Sequence, residues 1–486
     1  MKSNVKKTLL AHLLLGAGAL SVTAPSQAVS LSQDGVGQVL IYPYYTVRGG
    51  FDTYLSVVNH TSQAKALKVR FRESKNGREV LNFNLYLGGR DVWTAAVVAT
   101  PQGAKMITAD KSCTAPGIPA GGVDFVNFAF NGVKVPGLGH AGGDGEDQSL
   151  DRTREGYFEI IEMGTITSSD VALAVSHQSG IPANCDLVQT SAMDMSIGGG
   201  ATAAAPPSGG LSGTVTLINV SAGTDYSHDP VVLSGFSNVN LWQAPGSTLP
   251  DLSSATPKTS LLIKDDVAVA STWARGVDAV SALLMHDSLF NEFVMEPTTL
   301  SGTDWVVTMP TKHFYVPVVG NPVQPVAPFG SEFDADLGGA CEVTVKARFE
   351  PVAEFPGFPT YDRAQEKISS PDMIFIGVPD VPTLCWESSV FTFIPPMLDD
   401  ERSNVLHSPL AAPILVLRAS FTNGWMEIPL AGSAANVLTS RNGDIYKGLP
   451  AIGFMVQDFV NGNVNGLLSN YGGSFNHKYT RSINGK

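Results

Sequence analysis

The chain has 486 residues, a formal net charge of −13 and only 15% charged residues, against about 25% in an average soluble domain. An acidic surface of this size excludes nucleic acid and anionic lipid headgroups as general partners. Glycine and proline reach 49 and 31 residues, which with low charge is the profile of a loop-rich extracellular β protein.

Residues 1–28 read as a secretory signal peptide. Lys2, Lys6 and Lys7 precede an apolar run from Leu9 to Val22, and Ser26-Gln27-Ala28 supplies the small residues of a cleavage site. The expected mature N-terminus is Val29. The rival reading, a retained membrane anchor, suffers from the shortness of the apolar run. The first cysteine is Cys113, so none follows the signal to take a lipid. No later run is long and apolar enough to suggest a transmembrane helix, and long Gly/Pro loops between strands argue against an outer-membrane barrel. The expected location is extracellular or the outer cell surface, with the periplasm as the alternative.

Period-2 patterns then dominate. In Leu67-Lys68-Val69-Arg70-Phe71-Arg72 the apolar and cationic residues alternate strictly. After the turn Ser74-Lys75-Asn76-Gly77, the run Leu81–Leu87 alternates again. This predicts an antiparallel hairpin with Leu67, Val69, Phe71, Leu81, Phe83 and Leu85 in a core and Lys68, Arg70 and Arg72 facing out. Further strands are predicted at 38–47, 53–59, 91–99, 124–130, 156–163 and 170–176. The fold expected is mostly β, an antiparallel β-sandwich-type architecture with two β-rich halves and one or two short helices.

The Gly/Ala/Pro/Ser tract 196–213 reads as a linker or long loop, dividing an N-terminal β-sandwich domain, 29–195, from a C-terminal β-rich domain, 214–486. Beyond it, strands are predicted at 214–220, 259–263, 267–274, 304–309, 313–316, 342–349, 373–376, 388–393 and 414–420. Helical spacing predicts one helix over Asp278–Phe290, with a second around Leu449–Val460. The four cysteines suit an oxidising compartment, with Cys113–Cys185 and Cys341–Cys385 the favoured pairing among three possible.

Chemical signals are sparse. There is no G-x-S-x-G elbow and no H-E-x-x-H. Ser176-His177 with Asp170 or Asp186 makes a triad only on paper, as any chain of this size contains such triplets. Asp144, Glu146, Asp147 and Asp151 lie together in a Gly-rich segment beside His140. A calcium-stabilised loop is one reading, although the spacing is not that of an EF-hand, and a solvated acidic loop is the other. Lys68, Arg70 and Arg72, continued by Arg78, form a stripe that could grip anionic envelope polysaccharide, against the plainer reading of a solvated sheet face. Tyr42, Tyr44, Tyr45 and the six tryptophans could form a sugar-stacking platform or simply pack.

The stretches GQVLIYPYYTVRGG, YLSVVNHTSQAKALKVRFRESKNGREVLNFNLYLGGRDVW, REGYFEIIEMG and SGTDWVVTMPTKHFYV resemble segments of a family of exported, largely uncharacterised Gram-negative bacterial surface proteins. The resemblance implies export to the cell surface and brings no catalytic residues with it. Three functions compete: a non-enzymatic surface protein that builds a layer or adhesive contact with itself or other envelope components; an envelope-glycan-binding module; and a secreted polysaccharide or ester hydrolase. An unpaired edge strand would favour the first.

Overall fold

The hairpin of residues 65–87 forms as its alternation dictates. Strand Lys65–Glu73 pairs antiparallel with Glu79–Leu87, and Leu67, Val69, Phe71, Phe83 and Leu85 are buried in one core with Leu81 packed against it. This computed structural model describes residues 28–133, 143–194, 204–316, 325–330, 386–394, 404–416 and 422–484, with short pieces at 360–362, 365, 373–374 and 384. It is mostly β.

Two sheets sandwich the first core. One runs, in spatial order, through Val267–Thr272, Thr259–Lys264, Val29–Leu31, Val231–Ser234, Val39–Thr46, Glu155–Ile166, Lys65–Glu73, Glu79–Leu87 and Cys113–Ala115. The other runs through Thr224–His228, Val215–Asn219, Asp52–Asn59, Val92–Ala99, Ala104–Ile107 and Val123–Asp124. Leu40, Tyr42, Phe71 and Phe158 from the first sheet meet Leu55, Val57, Trp93 and Val97 from the second. Phe158 stacks between Tyr42 at 4.2 Å and Phe71 at 4.8 Å between ring centroids. Gly156 is required by close approach: a Cβ there would collide with the Arg72 carbonyl of the neighbouring strand.

A third sheet runs Met373–Ile374, Ala411–Val416, Ser388–Ile394, Gly302–Thr308, Ile452–Val464 and Leu467–Asn476. A fourth holds Thr360–Asp362, Asn423–Pro429, Ser288–Val294 and Lys478–Thr480. The third sheet packs onto the sandwich. Tyr44, Phe51, Leu217 and Tyr226 share a core with Val306, Val390, Phe454 and Val456. A larger core joins Val39, Ile41, Ile161 and Leu233 to helix Gly276–Leu284 and to Trp305 and Phe391.

Several expectations are corrected. The tract 196–213 does not separate two sheet systems, because Val215–Asn219 and Val231–Ser234 pair with strands of the first half. Part of the tract itself pairs: Ala204–Ala205 with Thr165 and Ile166, and Leu211–Ser212 with Asn59 and Val58. The helix expected to reach Phe290 ends at Leu284, and Ser288–Val294 is a strand, because its apolar residues meet the fourth sheet at a period of two. The helix expected around Leu449–Val460 is instead strand Ile452–Val464, where Phe454 and Val456 face one core and Met455 another. Conversely, 170–176 is helix Ser169–Val175, started by the Ser168 side chain accepting from Val171 N–H. Residues 313–316 hold a 3₁₀ turn, Lys312–Phe314, in place of a strand, and 124–130 pairs only at Val123–Asp124. The strand expected at 342–349 and the segment 1–27 lie outside the described residues.

Phe71→Ala removes a buried ring that touches Tyr45, Phe125 and Phe158, so it should cost about 3–5 kcal/mol in denaturant unfolding. A loss below about 1 kcal/mol would place Phe71 outside the core. A second expectation concerns acid. Burial pushes the imidazoles of His228 and His477 down, to about 3 and about 4, so both are neutral in the fold. The unfolded chain binds these protons near pH 6.5 and the folded chain does not, so stability falls as pH drops from about 6.5 toward 3. His228 stacks on Phe454 at 3.9 Å. His228→Phe should therefore keep the stack and shallow the acid limb of stability by up to about 1.4 kcal/mol per pH unit. Parallel limbs in the two proteins would refute the assignment.

Candidate functional site

The face of the 65–87 hairpin opposite its core is where the cationic stripe was expected to meet solvent. The alternation holds and the exposure does not: Lys68, Arg70 and Arg72 are buried. Strand Glu155–Ile166 explains much of this, since its own alternation sets Glu159 directly beside Arg70. Arg70 binds Glu79 at 2.7 Å and lies 3.4 Å from Glu159, which is 3.6 Å from Arg72 Nε. Arg72 also donates to the Gly77 carbonyl at 2.6 Å. Burial pushes the Glu159 carboxyl up despite Arg70 and Arg72. On the core face, one step beyond Leu67, Lys65 and Glu162 form a fully buried pair at 2.7 Å. Glu162 also accepts from the N–H groups of Ser208 and Gly209, which ties down the Gly-rich tract. Lys68 is the exception. Its cross-strand neighbours Ile161 and Asn84 offer no carboxylate, and its Nζ has no hydrogen-bond partner among the described residues. Burial, then Arg70, push its ammonium down to about 8.

The acidic loop turns inward as well. Asp144 takes Arg152 at 2.8 Å, Asn76 at 3.0 Å and Arg78 at 3.8 Å. Glu146 pairs with Lys75 at 2.8 Å, Asp147 accepts from Ser149, and Asp151 pairs with Arg48 and Arg154, each at 2.8 Å. Each carboxylate already faces a cation or a local N–H, and no group of three potential metal ligands occurs among the described residues. The calcium reading thus finds no converging oxygens, and His140 lies outside the described residues. Arg152 binds Glu73 as well, at 3.0 Å, and Glu73 accepts from the N–H groups of Lys75, Asn76 and Arg78. One arginine therefore joins the acidic loop to the hairpin turn.

The seam continues into the second half. Glu387 accepts from Tyr157 at 2.9 Å and lies 2.5 Å from His313 Nδ1. Burial would raise the Glu387 carboxyl, but His313, Lys312 and Arg72 outweigh it and hold it below the usual range. Glu155 accepts from Tyr44 at 2.8 Å and Ser408 at 2.7 Å. None of this network was separable from a surface stripe by sequence alone, because the partners lie up to 253 positions away.

Two surface features remain. The first is an open groove of about 430 Å³ lined by Gly88–Val92, residues 109–111 and the turn at Ser176–Gly180. His177 Nδ1 lies 3.4 Å from Asp91, not from Asp170 or Asp186, and Ser176 Oγ donates to the Ala172 carbonyl. No nucleophile–base contact forms there. The disulfide Cys113–Cys185, as expected, ties together the chain segments that continue from two of the groove's walls. The other pair, Cys341–Cys385, lies outside the described residues.

The second feature is the hairpin Ile452–Asn476. Its second strand is the edge of the third sheet and exposes Leu467, Tyr471 and Phe475 at 71%, 63% and 52%. The aromatic platform, by contrast, is largely core: Tyr42, Tyr44, Tyr45, Trp93, Trp273 and Trp305 are buried. Trp425 is exposed but stacks on Tyr361 at 4.6 Å. Sequence reasoning missed the edge strand by reading the segment before it as helix. The Asn465-Gly466 turn between two apolar runs was the available signal.

No protein-family model, curated protein or solved structure matches the chain.

Arg152→Met should cost about 3–5 kcal/mol, because it strands Glu73 and Asp144 in a buried site. Calcium or a chelator should leave the melting temperature of the parent unchanged. A rise of several degrees with millimolar calcium would restore the metal-loop reading.

Proposed function

We propose that the protein is an exported, non-enzymatic structural or adhesive component of the cell surface or extracellular layer. The observation that carries this reading is the strand at the edge of the third sheet, whose Leu467, Tyr471 and Phe475 are exposed with no strand paired to its outer edge among the described residues, since soluble chains ordinarily blunt such edges with charge, proline or a covering element. Support comes from the ionic seam. Of the cationic stripe, Arg70, Arg72 and Arg78 lie against carboxylates of the fold, Lys68 alone being buried without one, and the acidic-loop carboxylates are likewise taken by cations or local N–H groups. The disulfide suits an oxidising compartment. Among the described residues no helix is long and apolar enough to cross a membrane.

A glycan-binding reading has one observation in its favour. Arg90 and Lys111 line the groove beside the disulfide and form no ion pair there among the described residues. An uronate carboxylate would suit them. The two readings separate by experiment. Cell fractionation followed by electron microscopy of the purified protein should find it in the surface or extracellular fraction as ordered particles or layers. Recovery as a dispersed cytoplasmic monomer would overturn the structural reading. Oligouronate binding abolished by Arg90→Ser with Lys111→Ser would install the second.

A further inference from the structure

The edge strand Leu467–Asn476 reads LLSNYGGSFN and contains no charged residue. Its register against the preceding strand sets Val464 beside Leu467, Phe459 beside Tyr471 and Met455 beside Phe475. Side chains alternate across a sheet, so Leu467, Tyr471 and Phe475 share one face, about 13 Å apart along the strand. The opposite face touches the sandwich at its middle, with Leu468 at its start half exposed. A Cβ on Gly472 would lie 2.6 Å from the Tyr226 ring, and Asn470 donates to the Ala222 carbonyl at 2.7 Å. One face of the strand is thus docked on the sandwich, while its other face and its outer edge pair with no strand among the described residues.

We propose that this strand pairs antiparallel with the same strand of a second copy, about a two-fold axis at Tyr471. The inference rests on the structural reading above and names its contact. Three features select a second copy over a foreign partner. On the exposed face the apolar positions are symmetric about Tyr471, so antiparallel pairing sets Leu467 against Phe475 and Tyr471 against Tyr471, the self-complementarity that a two-fold contact requires. The charge distribution allows it: two chains of net charge −13 repel, and an uncharged strand is where they can approach. The size is adequate. With a fully buried aromatic contributing about 150–250 Å², the exposed row and its backbone amount to on the order of 500 Å² per copy. Pairing would then bury roughly 1,000 Å², the lower bound for a specific interface, with main-chain hydrogen bonds added. The product is a continuous twelve-stranded sheet.

The test is sedimentation of the full mature protein over a concentration series. The parent should double in mass with rising concentration. Tyr471→Lys, which sets two ammonium groups face to face, should stay monomeric with an unchanged melting temperature. Leu173→Lys, at an exposed position on helix Ser169–Val175 outside the proposed contact, should dimerise like the parent. In a separate variant, Tyr471→Cys should form an intermolecular disulfide on mild oxidation. A dimer that survives Tyr471→Lys, or a Tyr471→Cys protein that never cross-links, would overturn this contact and leave the surface-protein reading standing. A parent that stays monomeric at every concentration would overturn the contact too, while fractionation alone decides the reading beneath it.

Discussion

Strand Glu155–Ile166 is buried along its whole length, and the two faces it presents are chemically opposite. Phe158 and Ile160 enter the aromatic core of the sandwich, with Glu162 beyond them on the same face holding Lys65, while Tyr157 and Glu159 meet the cations of the neighbouring strand and the groups arriving from residues 313 and 387. A one-residue slip would drive the carboxylates into the aromatic core and the phenylalanine into the ionic seam, so the register is fixed from both sides. Strands Val39–Thr46 and Lys65–Glu73 take their register directly from this strand. The apolar face supplies the favourable burial. The ionic face contributes less net stability, because desolvation offsets much of the Coulomb attraction, but each missing partner would be expensive. Its main effect is to specify which segments of the second half dock, and where.

Glu155 and Glu387 show how that specification works. Glu155 accepts from Tyr44 of the first half and Ser408 of the second, and Glu387, itself in the second half, accepts from Tyr157 and donates its N–H to the Lys75 carbonyl of the first. Hydrophobic packing alone tolerates sliding, whereas a buried carboxylate with directed donors does not. The two halves therefore interlock into shared cores.

Local pattern was readable where one residue decides one thing. The Leu67–Leu87 hairpin, its two faces and its turn follow from alternation and an Asn-Gly step, and the Cys113–Cys185 bond from the pairing of cysteines within one half. Alternation says which side chains share a face, and it is silent on what covers that face. Lys68, Arg70 and Arg72 were legible as a row, but their burial depends on segments near residues 159 and 251 that no local signal announces. The Asp144 loop misled for the same reason, since a cluster of carboxylates looks alike whether it awaits a metal ion or Arg152 and Arg78. Helix and strand were confused over Ser169–Val175 and Ile452–Val464, where short apolar runs fit both periods and tertiary contact chose between them.

Strand Val29–Leu31 carries a kinetic consequence. It lies between Val231–Ser234 and Thr259–Lys264, so its hydrogen-bonding partners are about 200 residues away in the chain. Thr308 similarly closes onto the Pro43 carbonyl across 265 positions. Loops of this length must close before their contacts reward them, which makes assembly slow and leaves the sheet edge beside Val39–Thr46 open meanwhile. A nascent chain has no partner for its first strand until nearly half of it has been synthesised. Until then the unpaired chain is the form most exposed to edge-to-edge aggregation.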